Sequence, residues 1–282
     1  MIEMNKFIDK YGEWALITGA SKGIGLEFSR QIAAHGLNIV LVARSENSLR
    51  QLSSSIESDY PIKIRIVTAD LTEAGGIARL LEATADLDIG LLVNNAGRED
   101  SGPFLQIPID DAIKTIDLNI KVPLQLTQHF AAKMQARGKG GILIMSSIVA
   151  FQGVPNIANY AASKAYDLVF AEGIAAELEA SNIDVLSVNP GFTRSELSPD
   201  INFDGLLIKP MSADSVVKTA LNDLGKSRIS VPGRVNKILY YSGKYLQSRR
   251  VNTAAFGHVF RRVLRNKLKA PDVIGSPKNS NS

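Results

Sequence analysis

Short apolar runs alternate with longer segments of helical spacing along most of this chain. The runs predict strands at about 14–18, 38–43, 62–68, 89–94, 141–146 and 183–188, with a weaker one near 228–232. The longer segments predict helices over about 23–35, 45–57, 107–136, 155–180 and 212–224. Such alternation requires crossover connections that place helices on both faces of a parallel sheet. The pattern therefore predicts an α/β fold, a single domain with a doubly wound parallel sheet of about seven strands.

Three glycines and one proline predict where helices end or bend. Gly36, Gly138 and Gly225 each follow a segment of helical spacing, and glycine commonly ends helices. Pro123 lies inside the long segment 107–136, where its missing N–H predicts a kink just after Asn119.

Tyr160 and Lys164 are the first candidates for chemistry. They are four residues apart in a predicted helix, about one turn, so both side chains project from the same face. A free tyrosine titrates near pH ~10, and a nearby ammonium lowers that value by stabilising the phenolate. The pair can therefore exchange a proton closer to neutral pH than tyrosine alone. A surface Tyr/Lys pair without a function is the alternative, because this spacing is common.

Two further motifs lie at the ends of predicted strands. Residues 14–25 read WALITGASKGIG, and their glycines allow a tight turn and a close approach of the backbone to a phosphate. The helix that follows offers unpaired N–H groups to a pyrophosphate, although an ordinary strand–turn–helix connection would also use glycine caps. Residues 89–97 read IGLLVNNAG, which places Asn94 and Asn95 at the edge of the sheet where such folds bind ligands.

Taken in order, these motifs resemble the short-chain dehydrogenase/reductase family. The matching residues are TGASKGIG at 18–25, Asp70-Leu71, NNAG at 94–97, Asn119, Ser147, Tyr160, Lys164 and Pro190-Gly191. The resemblance covers roughly residues 12–232 and implies a Rossmann-fold catalytic domain over 1–232. The start, YGEWALITGA, and the segment VPGRVNKILYYSGKYL are most similar to the branch containing 3-ketoacyl reductases and 17β-hydroxysteroid dehydrogenases.

The resemblance implies a role for each catalytic residue. Ser147, thirteen residues before Tyr160, would hydrogen-bond the substrate carbonyl, and Tyr160 would give that oxygen its proton. Lys164 would lower the pKa of Tyr160 and hydrogen-bond the nicotinamide ribose. Asn119 would hold a water that links Lys164 to solvent. This chemistry requires no metal, because Ser147 and Tyr160 supply the polarisation.

Charge at the end of the second predicted strand favours NADP(H) as the cofactor. The strand reads NIVLVARS, with Ala43 where an NAD enzyme of this kind usually has an acidic residue. Arg44 follows and can pair with a 2′-phosphate, and Lys22 adds a second positive charge, unless both are solvated surface cations. The residues expected to bind the cofactor are Gly19, Ser21, Lys22, Gly23, Ile24, Gly25, Arg44, Asp70, Leu71, Asn95, Ala96, Gly97, Tyr160, Lys164, Pro190, Gly191 and Thr193. By resemblance, Asp70 would contact the adenine and Thr193 the carboxamide.

Apolar residues are concentrated in the segments expected to cover the substrate. Residues 192–212 are predicted to form a lid, and Phe151, Val154, Phe192 and Leu197 to line the substrate pocket. Such a pocket suits a lipophilic ketone, for example a 3-ketoacyl thioester or a steroid, although lids bury apolar residues whatever the substrate. The expected reaction is reduction of a ketone to a secondary alcohol, or the reverse. A non-catalytic NADP-binding sensor or scaffold of the same fold is the alternative.

The net charge of +4 hides a strong asymmetry along the chain. Residues 224–271 contain twelve basic and no acidic residues, whereas residues 1–223 contain nineteen basic and twenty-seven acidic ones. Interleaved apolar residues predict a basic amphipathic helical extension over 233–271. This extension could dock on the protein or a partner subunit, lie on an anionic membrane surface, or bind an acidic CoA or carrier-protein substrate. Nucleic-acid binding is not expected, and residues 272–282 are predicted to be disordered.

Composition excludes several other kinds of site. The chain has no cysteine, which excludes disulfides, thiolate zinc sites and a cysteine nucleophile, and its three histidines are too scattered to suggest a metal cluster. The sequence shows no signal peptide and no apolar run approaching ~18 residues, so we expect a cytoplasmic protein with at most peripheral membrane contact. The family resemblance implies a homo-oligomer, either a dimer or a tetramer.

Overall fold

Seven parallel strands form one sheet in this computed structural model, which describes residues 2–193 and 210–264. The strands are β1 Trp14–Thr18, β2 Asn38–Ala43, β3 Ile64–Thr68, β4 Ile89–Asn94, β5 Gly140–Met145, β6 Ile183–Val188 and β7 Ile229–Ser230. Their order across the sheet is β3-β2-β1-β4-β5-β6-β7, so the winding reverses between β1 and β4. This doubly wound order confirms the predicted fold and leaves a crevice at the reversal point, at the carboxyl ends of the strands.

Helices cover both faces of the sheet. They are α1 Ile2–Tyr11, α2 Gly23–Ala34, α3 Glu46–Asp59, α4 Gly76–Ala83, α5 Ile109–Ile116, α6 Val122–Arg137, α7 Ala158–Leu178, α8 Ala213–Asp223, α9 Arg234–Tyr245 and α10 Arg249–Val263. The sequence pattern did not predict α1 or α4. Helix α4 has only eight residues, too few for helical spacing to be distinctive.

Each face of the sheet has its own buried core. On one face, Phe28 and Ile32 of α2 pack with Leu41 of β2. On the other face, Phe130 of α6 packs with Leu92 of β4. Because the central strands are covered on both sides, they read as continuous apolar runs in the sequence, and this made them easy to predict.

The predicted kink near Pro123 has a different origin from the one expected. A π-helical turn, Asp117–Lys121, separates α5 from α6, and Asn119 lies inside this turn with its side chain fully buried. Pro123 lies in the first turn of α6, where a missing N–H costs no helical hydrogen bond. The irregularity is therefore centred on Asn119 itself. The predicted helix ends are confirmed at Gly36, Gly138 and Gly225, each of which has a positive φ.

The two C-terminal helices pack against the catalytic body. Phe260 and Leu264 are buried together with Ile148, Val154 and other apolar side chains of the β5–α7 connection, and we call this group the C-terminal cluster. Helices α9 and α10 thus dock on the protein, which is one of the three possibilities considered for the basic extension. Residues 194–209, which include most of the predicted lid, and residues 265–282 lie outside the described ranges.

Candidate active site

Ser147 and Tyr160 meet at the carboxyl end of β5. Ser147 directly precedes a short 3₁₀ turn, Ile148–Phe151, and Tyr160 lies in the first turn of α7. The Ser147 side chain lies close enough to the Tyr160 hydroxyl to lower the pKa of Tyr160 by hydrogen bonding. Two hydroxyls in this arrangement can both contact the oxygen of one small carbonyl group.

Lys164 lies behind this pair and is held by two acceptors. Its Nζ atom donates to the carbonyl oxygen of Met145 at 2.7 Å and to Oδ2 of Asp167 at 3.0 Å. The same atom lies 5.9 Å from the centroid of the Tyr160 ring. Only 7% of the Lys164 side chain and 1% of the Asp167 side chain are exposed. Asp167 was not predicted as a site residue, although it lies three residues after Lys164 on the same helix.

The acid–base properties of Tyr160 differ from the sequence expectation. Burial raises the pKa of Tyr160 above its ordinary value, and the carboxylates of Glu99 and Asp167 add to this, while the hydrogen bond with Ser147 lowers it. Burial also raises the pKa of Asp167 to about 6, against the opposing effect of Lys164. The expected lowering of the tyrosine pKa is therefore not seen in this structure, because burial raises the pKa and the carboxylates of Glu99 and Asp167 add to that effect.

Asn119 connects the loop after β4 to the catalytic helix. Its Nδ2 atom donates to the Arg98 carbonyl oxygen and to Oγ of Ser163, both at 2.9 Å. Its Oδ1 atom accepts the Arg98 N–H, also at 2.9 Å. A Cβ atom added to Gly97 would lie 3.4 Å from this oxygen and 3.7 Å from Nζ of Lys164. Gly97 therefore lies between the crevice and the side chains of Asn119 and Lys164. Because Gly97 has no side chain of its own, a ligand in the crevice can come close to both.

A cleft of about 1160 Å³ opens at the point where the winding of the sheet reverses. Eleven of the predicted cofactor residues line it: Gly19, Ser21, Lys22, Gly23, Ile24, Arg44, Asp70, Leu71, Asn95, Ala96 and Gly97. Arg30, Ser45, Ser48 and Arg98 also line the cleft and were not predicted. The volume and the elongated set of lining residues fit an extended dinucleotide.

Hydrogen bonds fix the glycine turn at the floor of this cleft. Oγ1 of Thr18 accepts the backbone N–H groups of Asn95 and Ala96, each at 3.0 Å. Nδ2 of Asn95 returns a bond to the Thr18 carbonyl oxygen at 2.9 Å. A Cβ atom on Gly25 would lie 2.2 Å from the Gly19 carbonyl oxygen. Gly25 therefore allows close packing of α2 on the turn, which explains why it does not line the cleft. The other predicted cofactor residues that do not line it are Tyr160, Lys164, Pro190, Gly191 and Thr193.

Basic and acidic side chains meet at the outer end of the cleft. Arg44 is largely exposed, and its guanidinium lies 3.8 Å from the Asp70 carboxylate. Oδ1 of Asp70 accepts the backbone N–H and the hydroxyl of Thr72 at 2.9 and 2.7 Å. Burial opposes ionisation of Asp70, but the bonds from Thr72 and the charge of Arg44 outweigh it, so the pKa of Asp70 lies below its usual range. If Arg44 turns towards an anionic ligand, the two hydrogen bonds from Thr72 still stabilise the Asp70 carboxylate.

Comparison with known proteins identifies the family. Residues 13–204 match the family model for short chain dehydrogenases. The chain belongs to this family. Human very-long-chain 3-oxoacyl-CoA reductase is 34% identical to it over 218 residues, covering 76% of this chain and 69% of that protein.

Solved structures agree with this assignment. The structure of a 7β-hydroxysteroid dehydrogenase matches with a TM-score of 0.82 and 27% identity, over 89% of this chain and 98% of that chain. A short-chain dehydrogenase from Sphingobium yanoikuyae in complex with NADPH matches with a TM-score of 0.71 and 28% identity, over 93% of this chain and 98% of that one. This dehydrogenase is therefore an oxidoreductase that interconverts alcohols and carbonyl compounds, with a nicotinamide cofactor.

The loop after β6 lies on the catalytic side of the sheet. The Pro190 carbonyl oxygen accepts the N–H of Ile148 at 2.9 Å, and the Thr193 hydroxyl donates to the Gly191 carbonyl oxygen at 3.1 Å. A Cβ atom on Gly191 would lie 2.4 Å from Oδ1 of Asn236 in α9. The contact expected between Thr193 and the carboxamide stays a prediction.

The predicted substrate-pocket residues pack against the C-terminal helices. The Phe151 ring lies 4.4 Å from the Tyr240 ring, and the Phe192 ring lies 5.5 Å from the Phe260 ring, both measured between centroids. Val154 is 1% exposed. Leu197 falls outside the described ranges. Phe151, Val154 and Phe192 thus form an apolar wall that α9 and α10 complete, a contact that no local pattern revealed. The place of this wall beside the substrate stays a prediction.

Across residues 2–193 and 210–264, no three His, Asp or Glu side chains come together in a way that could hold a metal ion.

Proposed function

We propose that this dehydrogenase is an NADP(H)-dependent reductase of bulky, lipophilic ketones, with Tyr160 as its acid–base residue. The observation that carries the proposal is the cluster of Ser147, Tyr160 and Lys164 at the end of β5, beside a cleft of dinucleotide size. A sensor or scaffold protein would have no need of a buried lysine aligned with two hydroxyls.

The chain's own residues would perform the proton chemistry. Bound nicotinamide would supply the hydride for the carbonyl carbon, or accept it in the reverse direction. Ser147 would hold the carbonyl oxygen, and Tyr160 would give that oxygen its proton. The Lys164 ammonium has three N–H donors, and Met145 and Asp167 occupy two of them. The third would be available for the ribose and for resupply of the proton.

The choice of NADP over NAD rests on two cations that line the cleft. Arg44 follows the end of β2, where a carboxylate would repel a 2′-phosphate, and Lys22 lies in the glycine turn. A guanidinium can pair with a phosphate through two parallel hydrogen bonds. The NADPH complex of the Sphingobium yanoikuyae relative supports the same choice.

A lipophilic substrate is favoured by the apolar wall and by the relatives. Phe151 and Phe192 are held in the C-terminal cluster, next to the turn that begins at Ser147. According to their names, two relatives described above act on a steroid and on a very-long-chain 3-oxoacyl-CoA. These substrates are bulky and largely apolar, so a steroid ketone or a 3-ketoacyl thioester is proposed here too.

A ketone panel tests the enzyme assignment directly. The purified protein is mixed with NADPH and with 7-keto or 17-keto steroids, 3-ketoacyl thioesters or small diketones, and loss of NADPH absorbance is followed. We expect oxidation of NADPH with at least one bulky ketone and none with the Tyr160→Phe protein. NADPH binding without turnover across the panel would instead favour the sensor or scaffold alternative.

We also propose that α9 makes peripheral contact with anionic membranes. Its outward face exposes Val235, Ile238, Tyr241 and Tyr245, at 54, 66, 55 and 68%. Arg234, Lys237 and Lys244 lie on the same face and are also exposed. Apolar side chains flanked by cations suit the headgroup region of an anionic bilayer. No helix within the described ranges is long and apolar enough to cross a membrane.

Vesicle sedimentation tests the membrane contact. The protein should sediment with phosphatidylserine vesicles at low salt and be released at high salt, because exposed charges are screened within ~8 Å at physiological ionic strength. Ile238→Ser should weaken sedimentation, while Val169→Ser, a change at another exposed apolar site, should not. Failure to bind anionic vesicles even at low salt would remove this part of the proposal.

A homo-oligomer is proposed from a second exposed apolar surface. Ile109, Ile113 and Ile116 on α5 and Leu124 on α6 are exposed at 70, 45, 36 and 39%. Light scattering of the purified protein measures its mass directly. An Ile113→Lys variant should shift the mass towards that of a monomer.

A further inference from the structure

Asp167 is a buried carboxylate that the proposed reaction does not use. It lies inside α7, with 1% of its side chain exposed. Its Oδ2 atom accepts the Lys164 ammonium at 3.0 Å, and its Oδ1 atom is buried without a hydrogen-bond partner among the residues that the structure describes. Burying a carboxylate costs free energy, and aspartate is a poor residue for a helix interior. A leucine would fill this position at lower cost, so stability alone does not account for Asp167.

The position of Asp167 relative to the catalytic residues suggests what it does. Tyr160, Lys164 and Asp167 follow one another at i, i+4 and i+7, so they lie along one face of α7. Asp167 and the Met145 carbonyl oxygen hold the Lys164 ammonium from two sides. A lysine side chain has four rotatable bonds, and two fixed acceptors restrict where its ammonium can lie.

The carboxylate also changes the electrostatics of the proton transfer. The groups that face Tyr160 are Ser147 from the turn after β5, Glu99 from the loop after β4, and Lys164 and Asp167 from α7. Lys164 faces Asp167 directly, and the Tyr166 hydroxyl also interacts with this carboxylate. A nearly neutral Lys164–Asp167 pair stabilises a phenolate less than an unpaired ammonium would.

We propose that Asp167 is a positioning residue for Lys164 that keeps Tyr160 in its proton-donating form and so biases the enzyme towards carbonyl reduction. The inference rests on the proposed role of Tyr160 as the acid–base residue. In this proposal, Asp167 is a third member of the group formed by Tyr160 and Lys164, and its charge explains why carbonyl reduction is favoured over alcohol oxidation.

The titration of Tyr160 is the decisive measurement, and it needs no substrate. The protein is labelled with tyrosine carrying ¹³C at Cζ, saturated with NADP⁺ and titrated by NMR, and the Tyr160→Phe protein identifies the signal. Asp167→Asn keeps the shape of the side chain and removes its charge. We expect the midpoint for Tyr160 to fall by about one pH unit, because a buried negative charge near the phenol is lost. Glu177→Gln, an exposed position on the same helix, should leave the midpoint unchanged.

Kinetics then test the bias in direction. With an alcohol product and NADP⁺, the pH profile for kcat of oxidation should move to lower pH in the Asp167→Asn protein. The ratio of reduction to oxidation rates at neutral pH should fall several-fold. A merely structural role would lower both rates together and leave the profile in place. If Asp167→Asn does not fold, Asp167→Ser removes the same charge with a smaller side chain.

The outcomes separate this inference from the proposed function. An unchanged Tyr160 midpoint in both Asp167 variants, with an inactive Tyr160→Phe protein, would overturn only the role of Asp167. Full activity of the Tyr160→Phe protein would overturn the proposed function itself, together with this inference.

Discussion

The two halves of the sheet place their functional groups in different ways. Around β1, β2 and β3, the groups that line the cleft come from short connections and are partly exposed, as Lys22 and Arg44 are. Around β5 and β6, the polar groups are buried, and neighbouring elements leave Lys164 and Asp167 almost no exposed side-chain surface. The cofactor half is thus built from local turns, whereas the catalytic half depends on long-range packing. Substitutions in the two halves should therefore have different effects.

The largest effect is expected from Tyr160→Phe, in the catalytic half. Removal of the proton donor should lower kcat by about 10³-fold, within the range for general acid–base catalysis. Affinity for NADPH, measured by fluorescence titration, should change little, because only the hydroxyl is lost. Activity close to that of the unaltered protein would exclude tyrosine from the proton transfer.

The next effect tests whether the C-terminal helices are part of the catalytic half. Phe260 is buried at 5% exposure beside Phe192, and Phe260→Ala should cost about 3 kcal/mol of unfolding free energy, because it leaves a cavity. Phe104→Ala removes the same ring from a site that is 70% exposed and should have almost no effect. Chemical denaturation followed by circular dichroism compares the two. Equal costs would mean that α10 does not dock as the structure shows.

In the cofactor half, Gly25→Ala should reduce both stability and cofactor affinity. The new methyl group would lie 2.2 Å from the Gly19 carbonyl oxygen, so the turn must shift, at about 1–3 kcal/mol. We expect at least tenfold weaker NADPH binding by calorimetry. Gly173→Ala is the matched control, since nothing lies within 4 Å of the added atom and alanine favours a helix. Normal NADPH binding by the Gly25→Ala protein would contradict the tight packing of α2.

The smallest effect concerns the choice between cofactors. NADPH should bind at least tenfold more tightly than NADH, a difference of about 1.4 kcal/mol, and Arg44→Asp should reverse the order. Arg50→Asp makes the same charge change on α3 and should preserve the preference. Equal affinity of the unaltered protein for NADPH and NADH would remove the argument from Arg44 and Lys22.

The sequence predicted the cofactor half more completely than the catalytic half. The strands β1 and β2 begin and end where their apolar runs do, and eleven predicted residues line the cleft. These features are local, since a strand followed by a glycine turn has few alternatives. The sequence could not show that α9 and α10 would complete the apolar wall, because those contacts join residues about 100 positions apart.

The sequence predicted which residues are the acid–base groups, but it did not predict the surroundings that determine their pKa values. Tyr160 and Lys164 were found from their spacing, yet the direction of the tyrosine pKa was wrong for this structure, because burial and two carboxylates act on it. Burial is a property of the whole fold, and spacing carries no information about it. Asp167 was overlooked for the same reason, since an aspartate in a helix normally faces solvent.

Asn236 gives the C-terminal helices an influence on the reaction that their position alone would not suggest. Its side chain occupies the space where Gly191 has no Cβ atom, and its Nδ2 atom donates to the Pro232 carbonyl oxygen at 2.7 Å. A ligand that displaces α9 would therefore remove the side chain that packs against the backbone preceding Thr193. If such a ligand changes the affinity of that loop for the cofactor, thermodynamic linkage requires that cofactor binding change the affinity of α9 for the ligand by the same factor.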